Sequence, residues 1–301
     1  MATRSKILKP LLEDVGGLLL LRIILIFGAC VISPSALEMV DPNQDFAFLE
    51  FEPYPSFQNY SPAESGDQRI WRLADQISFP AGKIGDHQLF GTFKSTFINR
   101  DIVYDSTVLN DGILKRFWLS GGGVVLKSSR QSGVVLAGVG VNSDFADLGL
   151  LDFNTEWIYV HSFQVTADFN WGLGLDVQQY FHKYQPYPLI FVDWKLSPKT
   201  KLKWDADFIE MRRFLTPRIC MTAGVRFNLE FFALKQNADF EYNSMGLETG
   251  LQYALGGNCY LRLKYKELVW GHETLGLPDG THHTRDVDGG RSLRLNIAYG
   301  I

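Results

Sequence analysis

Two sets of residues in this chain could do chemistry. The first crowds the polar stretch from Gly271 to Gly290, where His272, Glu273, His282, His283, Asp286 and Asp288 lie close in sequence. A general base, an orienting carboxylate or a metal site could be assembled from such groups. Their spacing matches no recognised nucleophile or metal-ligand pattern, and solvated loop residues are the simpler reading. His161 and Ser162 are adjacent, so on a strand they point to opposite faces and form no direct dyad. The glycine-rich stretches 121–126 and 138–141 lack the GxxxxGK[ST] pattern and precede no helical periodicity, which argues against a phosphate loop. The second set is a series of charges at alternating positions: Asp168, Asp176, Asp205, Arg218, Arg226, Arg262 and Arg294. With Lys201, Lys203, Lys264, Asp207 and Glu248 they would share one face of their strands. Charges on the inner face of a closed sheet either tune ion selectivity or pair with one another and hold the wall rigid. No catalytic residue, metal or cofactor is assigned.

The elements that would carry those charges are strands. From Phe163 to Val177 every odd-numbered residue is apolar and every even-numbered one is polar or glycine. That register sets an apolar face against a polar one. The run exceeds the ~9–11 residues that cross a bilayer at a tilt, so it is one very long strand or two folded about a turn. The same alternation recurs at 201–208, 218–227, 247–255 and 260–265, and again from Leu293 to Ile301. Helical spacing explains none of these runs. Residues 117–127 and 132–141 are apolar on both registers, so their facing is left open. At ~9–11 residues per strand the chain holds roughly 10–14 of them. The expected fold is all-β, an antiparallel transmembrane up-and-down β-barrel.

A soluble barrel with its apolar face inward, a periplasmic lipid binder, would show the same alternation. Three features favour lipid outside. The polar register is rich in Gly, Asn, Thr and charges of both signs, as a wet lumen requires. Trp171, Trp194, Trp204, Tyr253, Tyr265 and Tyr299 lie on the apolar register, where aromatic girdles sit. Connections are unequal, with tight turns at 196–200 and 255–259 and a long stretch at 271–290. Short turns on one side and long loops on the other give a periplasmic 256–258 turn and an extracellular 271–290 loop. A terminal strand, 291–301, suits closure on the first strand and recognition by the barrel-assembly machinery. It ends in Ile301, with its aromatic at Tyr299.

The N-terminus supports the same destination. Arg4, Lys6, Lys9 and Arg22 precede an apolar Ile23–Ile32 and a small-residue exit at Ser33–Ala36, the pattern of a signal peptide over residues 1–35. An anchor over Leu18–Ile32 and lipid attachment at Cys30 are the alternatives. Residues 36–68 form an acidic, proline- and aromatic-rich leader, with seven acidic residues in 37–68 and no Lys or Arg. Its prolines argue against a regular element, so the barrel is assigned to 69–301. A net charge of −4 over 301 residues excludes nucleic acid as the main partner, since no basic stripe is present. Three cysteines form no disulfide framework, because Cys220 and Cys259 fall on opposite registers.

The stretch YQPYPLIFVDWKLSPKTKLKWDADF, residues 184–208, resembles a segment of the outer-membrane β-barrel family grouped as DUF6268. The similarity extends from about residue 69 to the C-terminus. The resemblance implies a barrel in the outer membrane of a Gram-negative bacterium and carries no catalytic residues, since the family has no assigned activity. The leading expectation is a small pore or passive transport barrel for solutes or ions, with outer-membrane lipid around it. A non-conducting structural or surface-interaction barrel is the alternative. An outer-membrane hydrolase built on His161, His182 or the loop histidines comes third.

Overall fold

A strand in lipid must satisfy its backbone polar groups on both sides, and this chain does so by closing a ring. The computed structural model describes residues 45–53, 71–85, 87–104, 107–145, 152–180, 183–256, 258–287 and 290–300. Its strands are β1 (Asp45–Pro53), β2 (Trp71–Ile84), β3 (His87–Tyr104), β4 (Thr107–Lys127), β5 (Gln131–Ser143), β6 (Phe153–Thr166), β7 (Phe169–Tyr180), β8 (Lys183–Ser197), β9 (Thr200–Asp205), β10 (Phe208–Phe214), β11 (Ile219–Leu234), β12 (Ala238–Gly256), β13 (Cys259–Gly276), β14 (His282–Asp286) and β15 (Arg291–Gly300). Each pairs antiparallel with its sequence neighbour, except that β13 pairs with β15 and β15 returns to β1. β14 pairs only with the upper part of β13, in line with β15, so the closed wall has fourteen strands.

The leader reading of residues 36–68 needs correction. Asp45–Pro53, inside that stretch, is β1 and supplies the seam of the barrel, pairing with β15 on one side and β2 on the other. The proline argument does not reach it, because Pro53 is its last residue and no other proline interrupts it. The signal-peptide and Cys30 readings fall outside the described residues.

The run from Phe163 to Val177 is two strands. β6 ends at Thr166, a two-residue turn holds Ala167 and Asp168, and Thr166 pairs with Phe169. A two-residue turn alone would swap the facing of odd and even positions, but a β-bulge at Val165, between Gln164 and Thr166, restores it, so alternation continues straight through. A two-residue turn at Ala206 and Asp207, without a bulge, makes 201–208 two strands, β9 and β10, and swaps the facing, so that Phe208 pairs with Asp205 on the lumen side. The β12–β13 turn is made by Gly256 (φ +114°) and Asn258 (φ +64°), residue types that tolerate positive φ. The stretch 271–290 is largely ordered sheet, since β13 runs to Gly276 and β14 folds back on it.

The outward register is apolar and exposed, with Trp157 (58%), Leu251 (52%) and Leu293 (51%) as examples. At the end bearing the short turns, Phe163 stacks on Trp171 (5.1 Å) and Phe169 meets Trp194 edge-on (5.5 Å), a girdle of aromatic rings. An exposed apolar belt around a polar interior is the arrangement of a barrel whose solvent is lipid on the outside. One break in the belt is Asp75, a buried carboxylate that accepts a hydrogen bond from Ser95 Oγ at 2.5 Å.

Toward the end bearing the longest connections the polarity inverts. Along β12 the outward residues change from Leu251, Leu247 and Met245 to Asn243, Glu241 and Asp239, while the inward Tyr242, Phe240 and Ala238 become apolar and buried. They join Ile98, Ile102, Leu109, Leu114, Phe232, Leu234 and Leu275 in one apolar cluster. The barrel therefore carries its hydrophobic core as a cap at that end.

Candidate functional site

Below the cap the wall encloses a cavity of about 1460 Å³. Side chains facing it come from the polar register of nearly every strand, and the interior divides into two unlike halves.

One half is charged and paired. Arg294 of β15 reaches Glu52 (Nη2–Oε2 3.1 Å), Glu248 (Nη1–Oε1 3.0 Å) and Glu50 (Nε–Oε1 3.5 Å). Glu52 Oε1 also accepts from Ser292 Oγ at 2.5 Å. Glu248 continues to Arg226 (3.1 Å), and Arg226 to Asp207 (3.0 Å). On the other side Arg72 bridges Glu50 (2.7 Å) and Glu230 (3.2 Å). Lys264 pairs with Glu210 and lies 3.5 Å from Glu248, while Arg212 holds Glu210 at 2.6 Å. This network ties β10, β11, β12, β13, β15, β1 and β2 together across the seam.

The other half, β4 to β8, is small, apolar and amide-rich. Gly140 makes room for the Trp118 indole, since a Cβ there would stand 1.9 Å from the ring. The indole N–H then donates to Glu156 Oε2 at 2.9 Å. Gln178 donates to Glu156 (3.1 Å) and to Asp176, so two carboxylates share one amide.

The seven residues assigned to the lumen separate by position. Asp176, Asp205, Arg226, Arg262 and Arg294 line the cavity, and Asp168 lines it from the β6–β7 turn, where Lys195 lies 3.3 Å away. Arg218 does not line the cavity; it sits exposed in the 215–218 turn, one residue before β11 begins, so alternation extended one position too far assigns it a face it lacks. Arg262 donates to Gln252 Oε1 at 2.8 Å. Sequence reading misses Glu50, Glu52 and Arg72, because the first two lay in the supposed leader and all three find their partners far along the chain.

The loop residues do not assemble a reaction centre in the lumen. His272 Nδ1 and Asp286 Oδ1 lie 3.1 Å apart on the exposed β13–β14 hairpin, and His161 lies beside Tyr159 and Phe163 on the outward face. Glu273 instead is fully buried in the cap between Arg100 (2.6 Å) and Arg285 (2.7 Å), with the Arg100 guanidinium 4.5 Å from the Phe240 ring. At the hairpin tip the hydroxyl (2.6 Å) and N–H (2.9 Å) of Thr281 donate to Asp279 and hold its carboxyl below the usual range. Among the described residues, no group of three or more His, Cys, Asp or Glu is placed to hold a metal ion. Cys220 is buried and its thiol donates to the Met221 carbonyl at 3.4 Å.

No family model matches the chain, and no curated protein matches it. Among solved structures it is similar to the NanC porin, at 7% identity and TM-score 0.40 over 84% of this chain and 100% of that one. It is also similar to the KdgM porin, at 9% identity and TM-score 0.36, covering 84% and 99%. A third likeness is to the P. putida toluene transporter TodX, at 8% identity and TM-score 0.39, covering 91% and 94%.

Proposed function

We propose that this chain is a Gram-negative outer-membrane barrel that lets small solutes pass passively through its lumen. One observation carries the reading: a closed fourteen-strand wall, apolar outside, surrounds a cavity of about 1460 Å³ with a polar, charged lining. About eight strands leave an interior filled by side chains, and 16–18 leave an open channel. Fourteen strands give room for a solute path narrowed by side chains. The end bearing the short turns faces the periplasm and the capped end faces outward. Residues 1–35 serve as the signal peptide, the C-terminal strand engages the assembly machinery, and the DUF6268 resemblance fits this placement. We assign it no catalytic role: the described histidines do not line the cavity, and His182 lies outside the described residues.

A non-conducting barrel is the second reading, and the cap at the loop end favours it. Single-channel recording separates the two, using refolded protein whose native state is first verified by heat-modifiable migration on a gel. Steady openings, with ion selectivity that shifts in Arg226→Glu, support a solute path. Stable insertion without current supports the plugged barrel. Failure to insert sinks both.

A further inference from the structure

The wall is not equally tall all round. β9 has six residues and β10 seven, short of the ~9–11 needed to cross a bilayer. Their turn at Ala206 and Asp207 stops beside Phe191 on one side and Phe227 on the other. Beyond it, residues 183–191 of β8 pair only with β7. Residues 227–234 of β11 pair with β12 and, by a single bridge at Ala233, with Ser143 of β5. Among the described residues no ladder joins β8 to β11.

The sequence of β8 encodes this edge. Lys195 N–H donates to Asp168 on the β7 side at 2.8 Å. In an antiparallel sheet alternate residues send their N–H groups to opposite neighbours, so odd positions of β8 face β7 and even ones face the β9 side. Pro186 and Pro188 are at even positions, above the end of β9, and have no N–H to offer. The ladder to β7 stays whole, while the free edge is denied donors and protected from stray strand pairing.

The two edges overlap rather than abut. Phe231, on the outward register of β11, stacks on Tyr180, on the inward register of β7, with centroids 4.4 Å apart. The upper part of β11 therefore passes inside the wall formed by β7 and β8. Between them lies a slot, with Leu189 and Phe191 from the inner face of β8 opposite Phe227 and Leu229 from the outer face of β11. All four line the same cavity as the lumen charges. A cross-strand row of small and apolar side chains leads to it over the inner wall: Val134, Val160, Gly174 and Leu189 are successive partners on β5, β6, β7 and β8. An apolar track inside a polar lumen serves a ligand that is itself apolar.

We infer that the slot between β8 and β11 is a lateral port through which a small apolar molecule passes between the lumen and the surrounding membrane. The inference rests on the solute-carrying reading and names the chemical class of the solute. The track binds it, the slot opens at the part of the belt above the β9–β10 turn, and the apolar cap blocks the axial route at the loop end.

The test uses the full chain in proteoliposomes containing a diazirine-bearing long-chain hydrocarbon probe dissolved in the bilayer. After illumination, mass spectrometry maps the labelled residues. A lateral port predicts label on inward Val160 and Leu189 as well as on the outward belt around Leu251. Leu229→Arg, checked for folding by heat-modifiable migration, lowers the inner label at least fivefold and leaves the belt label unchanged. Leu229→Gln serves if the arginine variant does not fold, and the wild-type map needs no variant. Label confined to outward residues, or inner label unchanged in the variant, overturns the port. Conductance recorded on the same preparation reads the axial path separately. Current without inner label sinks the port and keeps the pore, whereas inner label without current keeps the port and sinks the ion-conducting pore.

Discussion

Glu52 and Arg294 meet 3.1 Å apart at the seam of the barrel, one from the first strand and one from the last, both with almost no solvent exposure. Removing one partner of a buried pair leaves an uncompensated charge, at a cost of about 3–5 kcal/mol. Glu52→Ala or Arg294→Ala should each lower stability by about that amount in urea unfolding from lipid vesicles. The double variant should lose less than the sum, since neither charge is then stranded. Additive losses would mean that the two residues act independently.

The two faces of one strand offer a sharper contrast. Leu251 and Gln252 are neighbours on β12, the first exposed on the belt and the second facing Arg262 in the lumen. An arginine on the lipid face near mid-membrane costs about 2–4 kcal/mol. Leu251→Arg should therefore fold poorly into vesicles, whereas Gln252→Arg should fold and alter ion selectivity. Equal folding yields would refute the assigned facing.

Phe240 is buried in the cap against Arg100, which is itself held by Glu273. Truncating a buried aromatic side chain costs about 3–5 kcal/mol. Phe240→Ala should lower thermal stability and also raise single-channel conductance, because the cap fills the axial route. A stability loss with unchanged conductance would mean that the cap is structural and does not obstruct flow.

Gly140 and Trp118 occupy the same space, so Gly140→Ala drives a methyl into the indole. Overpacking of this kind costs about 1–3 kcal/mol. The loss should be relieved in Gly140→Ala/Trp118→Phe, where the smaller ring gives way. Urea midpoints of the two variants decide it, and a double variant less stable than the single one would contradict the overlap.

Strand facing was legible in the sequence because it is a local property with period two. Leu251, Leu293 and Trp171 declare themselves by their neighbours alone. What stayed hidden depends on residues far away. Glu50 and Glu52 read as a linker's acids until Arg72 and Arg294 arrive to neutralise them. The inward Val134 and Leu136 lay in a stretch of open register, because a strand lining an apolar track has no polar face to show. The turn at 167–168 leaves no trace in the alternation because the bulge at Val165 restores parity, and the swap at 206–207 is hidden because the first residue after it on the lumen side, Phe208, is apolar. Pro186 and Pro188 stood in plain view, yet their meaning appears only when β9 is seen to stop below them.

The seam also sets a timetable. Asp45 pairs with Gly300, so the contact that closes the ring joins nearly the two ends of the described chain. Closing so long a loop is slow and entropically unfavourable until neighbouring strands have already formed. Until it happens, β1 and β15 each present an open row of backbone donors and acceptors to any strand they meet. The chain thus spends its most vulnerable interval after synthesis and before closure. A variant that weakens only the Glu52–Arg294 contact would be expected to show its effect there first, as aggregation during assembly rather than as failure of the finished barrel.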